Sequence, residues 1–180
     1  MTSVLIASDH KLYRSTFAKM LLAHRQFQLL AVCADTFAAS TIAATQRPDI
    51  IVVDGSNDPL AALALTRSVL SQPGTAVVTI SADTDADFAR HMLAAGALGY
   101  LTKKSSAAEC IAALQEVVKD NVYVCEALRN EEEQASIETP SHAGLRHLAG
   151  QGRASLRQQL REKMDAISNN HWHGILRFTN

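Results

Sequence analysis

At 180 residues the chain exceeds one ordinary small domain and falls short of two, so one complete domain plus a smaller unit is expected. It is 47% hydrophobic and 19% charged with a net charge of −1, which excludes a chain disordered throughout. No apolar run approaches the roughly 18 residues that span a bilayer, and the start, Met1-Thr-Ser-Val-Leu-Ile, lacks a basic region ahead of a hydrophobic core; a cytoplasmic protein with no membrane partner is expected.

In chain order, Val4-Leu5-Ile6-Ala7 is a short apolar run followed by polar Ser8-Asp9-His10, the pattern of a buried strand ending at a loop. A helix follows with Leu12, Phe17, Met20 and Leu21 on one face, ending near His24. Residues 28–33 read as a second strand, and Phe37 to Gln46 as an Ala-rich helix stopped by Pro48. Ile50-Ile-Val-Val53 is a third strand, β-branched throughout, that ends on Asp54. A helix from Leu60 to Leu70, a strand over 76–80, a helix over Phe88 to Ala95, a strand over 99–102 and a helix from Ser106 to Val118 complete the alternation. Five strands thus alternate with five helices. Continuous hydrophobicity in the first, third and fourth strands requires cover on both sheet faces, so the sheet is expected to be parallel and doubly wound.

The three cysteines, Cys33, Cys110 and Cys125, are odd in number and lack C-x-x-C spacing, which fits reduced core thiols. Charge divides the remainder of the chain. Residues 1–125 carry ten Lys/Arg against eleven acids, 126–139 carry one Arg against five Glu, and 140–180 carry six Lys/Arg against two acids. A main domain (1–125), an acidic linker (126–139) and a basic, small helical C-terminal segment (140–180) are therefore expected.

Sites in such sheets form at the carboxyl ends of the strands. Asp9, Asp54, Ser81 and Lys103 each follow or end a strand, so the fold should make them converge. Two carboxylates on adjacent strands suit a hard cation such as Mg²⁺, which also draws phosphate oxygens, while an ammonium and a hydroxyl hold the remaining oxygens of a phosphoryl group.

Four segments then carry a specific resemblance: Val-Leu-Ile-Ala-Ser-Asp-His at 4–10, Pro-Asp-Ile-Ile-Val-Val-Asp at 48–54, Ile-Ser-Ala at 80–82 and Ala-Gly-Ala-Leu-Gly-Tyr-Leu-Thr-Lys at 95–103. Residues 4–125 resemble the receiver domain of NarL/FixJ-class response regulators of two-component systems. The resemblance implies a flavodoxin-like, CheY-like five-stranded parallel sheet and a signalling role without metabolic enzyme activity. It implies Asp54 as the phosphoacceptor, Lys103 and Ser81 as its phosphate-contacting partners, and Ser81 with Tyr100 as the switch pair. It also implies a weakly bound Mg²⁺ on Asp9, Asp54 and Ser56. Ser8 stands where the family usually has a second acid, Pro59 falls one place later than usual, and Lys104 replaces the usual Pro or Asp.

The implied partners are a sensor histidine kinase, a second copy of the chain in a homodimer, and DNA. Thr139-Pro140, Leu145, Leu148 and Gly152, then Ile167-Ser168, then His171 with Ile175-Leu176-Arg177, resemble parts of a LuxR-type helix-turn-helix in reduced form. Arg153, Arg157, Arg161 and Arg177 are its candidate phosphate contacts. Against that, Leu156, Leu160, Met164 and Ile167 fit one continuous amphipathic helix suited to docking on the main domain, a second copy or another protein.

Overall fold

The computed structural model describes residues 1–69 and 74–130, and the structural statements below concern those residues. The apolar runs form β1 (Thr2–Ala7), β2 (Phe27–Cys33), β3 (Ile50–Asp54), β4 (Ala76–Ser81) and β5 (Gly99–Thr102). Val4–Ala7, Ile50–Val53 and all of β4 are buried, as expected for strands covered on both faces. The cover comes from α1 (Lys11–Leu22), α2 (Thr36–Gln46), α3 (Pro59–Val69), α4 (Ala86–Ala94) and α5 (Ala107–Val118). The five helices fall within two or three residues of the boundaries expected from periodicity.

The sheet has six strands rather than five. Tyr123–Val124 pairs in parallel with Gly99 and Tyr100 and forms β6, giving the order β2-β1-β3-β4-β5-β6. Two residues are too few to show a period, so no sequence pattern announces this strand; its neighbour's open edge creates it. The core also runs past Cys125: residues 126–130 are helical, and Leu128, within the stretch read as linker from its charge, is fully buried. Residues 131–180, including the helix-turn-helix traces and all four tail arginines, lie outside the described residues.

Two features fix the strand ends. At the amino edge, the Ser3 backbone N–H and hydroxyl both donate to Asp49 Oδ2 (2.7 and 2.8 Å), pinning β1 to the start of β3. At the carboxyl edge, Asp35, Asp58 and Asp85 accept from the backbone N–H of Ala38, Ala61 and Phe88, so carboxylates that cap α2, α3 and α4 also crowd this edge. All three cysteines are buried free thiols, and burial raises the pKa of each, which leaves them chemically quiet.

Candidate functional site

The strand order reverses between β1 and β3, whose connections leave in opposite directions and open a crevice at their carboxyl ends. There lies a cleft of about 220 Å³ whose wall includes Ser8, Asp9, Asp35, Asp54 and Asp58. Asp54, the last residue of β3, has a side chain only 2% exposed. An isolated carboxylate at that depth would be costly, so its partners decide its state.

Four donors surround it. Lys103 Nζ lies 2.8 Å from Oδ2, and the Ser8 hydroxyl donates to the same oxygen at 2.6 Å. Ser56 donates to Oδ1 through its hydroxyl (2.6 Å) and its backbone N–H (3.0 Å). Burial pushes the Asp54 pKa up, but the hydrogen bonds from Lys103, Ser56 and Ser8 outweigh it and hold the carboxyl below its ordinary value. Asp54 is therefore an anion at neutral pH, with both oxygens engaged.

Lys103 is aimed by its surroundings. Its backbone N–H donates to Ser81 O (2.7 Å) and its ammonium lies 5.8 Å from the centre of the Tyr13 ring. Tyr13, on α1, is a support that sequence reasoning did not single out; its place on the inner face of the helix after the first loop is the only signal. Ser8 is held in turn, because Arg14 donates to its carbonyl oxygen.

Lys103 and Asp54 meet, and Asp9 lines the same cleft, but the Asp9 carboxylate is exposed and accepts from Asn57 Nδ2 at 2.6 Å. Ser81 is buried, and its hydroxyl is the acceptor of a long 3.4 Å contact from the Asp83 backbone N–H. Among the described residues no three acids, histidines or cysteines are grouped as metal ligands. Asp9 and Asp54 remain two hard oxygen donors on one cleft, a set suited to a weakly held Mg²⁺.

Tyr100 is the aromatic of the expected switch pair. It points inward and is fully buried, with its ring edge-to-face against Phe88 (6.1 Å between centres). Burial pushes its pKa up to about 12, with the nearby Ser81 hydroxyl acting the other way. Among the described residues its hydroxyl has no partner in good hydrogen-bond geometry, Ser81 being the nearest hydroxyl to act on it, and those of Thr79 and Thr102 on β4 and β5 have none either. An unpartnered buried hydroxyl costs about 1–3 kcal/mol, so Tyr100→Phe is expected to raise stability by about 1 kcal/mol in urea denaturation. A loss of stability instead would mean that the hydroxyl is paired in solution.

Phe88 joins this aromatic pair to the end of β3. A Cβ on Gly55, next to Asp54, would stand 2.5 Å from Phe88 Cζ. The absence of a side chain at position 55 thus lets Phe88 pack against the β3 end and against Tyr100 together. Gly55→Ala is expected to push the ring aside and cost about 1–3 kcal/mol, with altered near-ultraviolet circular dichroism from Tyr100; an unchanged spectrum and stability would show that Phe88 yields freely.

Comparison with known proteins agrees with this architecture. The family described as response regulator receiver domain matches residues 4–115. The oxygen regulatory protein NreC of Staphylococcus epidermidis is 29% identical over 123 residues, covering 67% of this chain and 56% of that protein. The response regulator GacA of Pseudomonas aeruginosa is 28% identical over 125 residues, covering 69% and 58% respectively. The chain thus spans little more than half the length of these relatives. Among solved structures, a LuxR-family two-component response regulator from Aurantimonas superposes with a TM-score of 0.69 at 22% identity, covering 76% of this chain and 99% of that one. The signal receiver domain of NarL from Mycobacterium tuberculosis gives 0.58 at 24%, covering 66% and 96%. With the family match covering well over half its length, and the parallel sheet of the receiver fold carrying a buried aspartate at the end of β3, this chain belongs to the response regulator receiver family.

Proposed function

We propose that the chain is a cytoplasmic response regulator that accepts a phosphoryl group on Asp54 from a sensor histidine kinase and relays that state to a transcriptional output. The observation that carries this is the Asp54–Lys103 pair: an ionised, nearly buried carboxylate at a cleft, with an ammonium 2.8 Å away. Phosphoryl transfer asks little of a protein beyond positioning and charge neutralisation. A carboxylate oxygen attacks phosphorus while the phosphohistidine P–N bond breaks. Lys103 then moves from the carboxylate to the incoming phosphoryl oxygens, and Ser81 serves as the hydroxyl drawn toward them. Asp9, Asp54 and Ser56 would hold Mg²⁺, which when bound neutralises charge on the phosphoryl oxygens.

Each Asp54 oxygen is already held by two donors, so one must let go before a bond to phosphorus forms. Ser8 is that donor on Oδ2, since Lys103 is needed for the product. Output then passes through Phe88 and Tyr100 to the surface of α4, β5 and α5, the face on which a second copy would pair. The basic tail, with Arg153, Arg157, Arg161 and Arg177, is the candidate contact to DNA.

Mg²⁺-dependent labelling of Asp54 by acetyl phosphate, mapped by mass spectrometry and absent in Asp54→Asn, tests the proposal. No labelling at any Mg²⁺ concentration would overturn it in favour of a second reading, a pseudo-receiver acting through protein contacts without DNA binding. The Ser8–Asp54 hydrogen bond and the inward Tyr100 favour that second reading, because they compensate the anion and set the aromatic without phosphate.

A further inference from the structure

β2 stands at one end of the sheet, paired with β1 on its inner side, and among the described residues no strand pairs with its outer side. An open strand edge presents unpaired N–H and C=O groups, and proteins usually blunt it with charge, proline or a covering segment. The strand Phe27-Gln-Leu-Leu-Ala-Val-Cys33 contains no charge, no proline and no glycine. Exposed large hydrophobics surround it: Leu22 before the strand, Val32 within it and Phe37 after it are 70%, 42% and 82% exposed. Its one irregularity is a bulge, because Leu30 is an extra residue between Leu29, opposite Val4, and Ala31, opposite Leu5.

The bulge sets which groups face outward. The Gln26 C=O accepts from the Thr2 N–H and the Cys33 C=O from the Ser8 N–H, so both carbonyls point to β1. Alternation from each end then turns the backbone groups of Phe27 and Val32 away from the sheet. The Phe27 N–H closes onto the His24 C=O, which leaves the Phe27 C=O and the Val32 N–H as the edge's acceptor and donor. In an antiparallel pair, residues opposite one another must both face the partner or both face away. A two-fold axis between Leu29 and Leu30 meets this condition: Phe27 of each copy faces Val32 of the other, and Gln28 faces Ala31. The same register sets His24 opposite Asp35 with Arg25 one place away, and all three are exposed. A basic end thus meets an acidic end twice, once on each side of the axis. We propose that β2 is a pairing edge for a second copy of this chain, which joins two six-stranded sheets into one through an antiparallel β2–β2 contact.

A second copy fits this edge better than an unrelated strand because the edge is its own complement. The exposed apolar residues follow the same rule, since the axis carries Leu22 of one copy toward Phe37 of the other. A contact this narrow buries on the order of 1,000 Å² or less, the range of transient pairs, so a Kd on the order of 10 µM is expected. It lies at the far end of the sheet from β5 and is therefore distinct from pairing over α4, β5 and α5. The β2 contact forms whether or not Asp54 is phosphorylated, and its test reads no phosphorylation.

Sedimentation equilibrium on the full chain, from well below to well above that Kd, decides it together with hydrogen–deuterium exchange at both extremes. The chain should dimerise, and the Val32 amide should gain protection as concentration rises. Val32→Lys puts a charge on the edge at an exposed position and should raise the Kd roughly tenfold or more. Arg25→Glu, in the exposed turn before β2, sets two acids against each other and should raise the Kd roughly threefold or more, with the difference from wild type shrinking in high salt. Circular dichroism checks that both variants fold. A chain that stays monomeric at every concentration overturns the proposal. A dimer whose Kd neither variant changes overturns it by placing the second copy on another face. Protection of Val32 that is equal at all concentrations also overturns it, by assigning the edge to a different cover.

Discussion

Ser8→Asp is expected to make the metal-free protein less stable and its response to Mg²⁺ stronger. Ser8 is 4% exposed and donates 2.6 Å to the ionised Asp54. A hydrogen bond to a charged group contributes about 1.5–3 kcal/mol, and the substitution replaces that donor with a second anion. Two facing carboxylates in a partly buried site repel, so the metal-free variant should lose about 2 kcal/mol, or about 5 °C in melting temperature. A divalent cation relieves that repulsion. Binding that favours the folded state stabilises by mass action, so millimolar Mg²⁺ should recover most of the loss. An added carboxylate ligand should raise Mg²⁺ affinity roughly tenfold to hundredfold, equivalent to about 1.4–3 kcal/mol. Thermal denaturation and calorimetric titration with and without Mg²⁺ check both halves. Equal melting temperatures and equal Mg²⁺ affinity in wild type and variant would sink the claim that Ser8 faces the Asp54 carboxylate.

Lys103→Met carries the second large effect. Removing one partner of a buried pair typically costs about 3–5 kcal/mol; with Lys103 17% exposed and the serine donors still present, about 2 kcal/mol is expected at neutral pH. The sign with pH follows from Asp54. Its folded pKa lies below its unfolded value, so its contribution is fully present above the unfolded value of about 4 and is lost as pH falls through the folded value. Without Lys103 the folded pKa moves up, since burial meets less opposition. The variant's deficit is therefore largest at neutral pH and shrinks as acid protonates Asp54. Urea denaturation across the acid range, with Asp54→Asn added to Lys103→Met, checks this: the second substitution should recover more than half of the loss at neutral pH. A deficit independent of pH would mean that lost packing of the lysine stem against Tyr13, not charge, sets the cost.

Much of this molecule is legible in its sequence because the signals are local. Buried strands read as continuous apolar runs, so β1, β3 and β4 and their parallel arrangement follow from Val4–Ala7, Ile50–Val53 and residues 76–80. A strand that must end on a charged residue at a loop places Asp54 and Lys103 at the same edge without any knowledge of their contact. The short β6 escapes this reasoning, since two residues show no period and the strand exists only because β5 offers an edge. Leu128 escapes it for a related reason: the charge around it marks a linker, while its single side chain fills the core.

What the sequence by itself determined is the order of the elements, the place of Asp54 at the end of β3 and the family, all of which rest on patterns within a few consecutive residues. Only the tertiary structure decided that Ser8, 46 positions away, donates to Asp54; that Asn57 engages the Asp9 carboxylate; and that Tyr100 packs inward on Phe88 with its hydroxyl lacking a well-placed partner among the described residues. A hydrogen bond forms or fails over a few tenths of an ångström between groups brought together from distant strands. That selection is made by packing, which residue pattern bounds and does not specify.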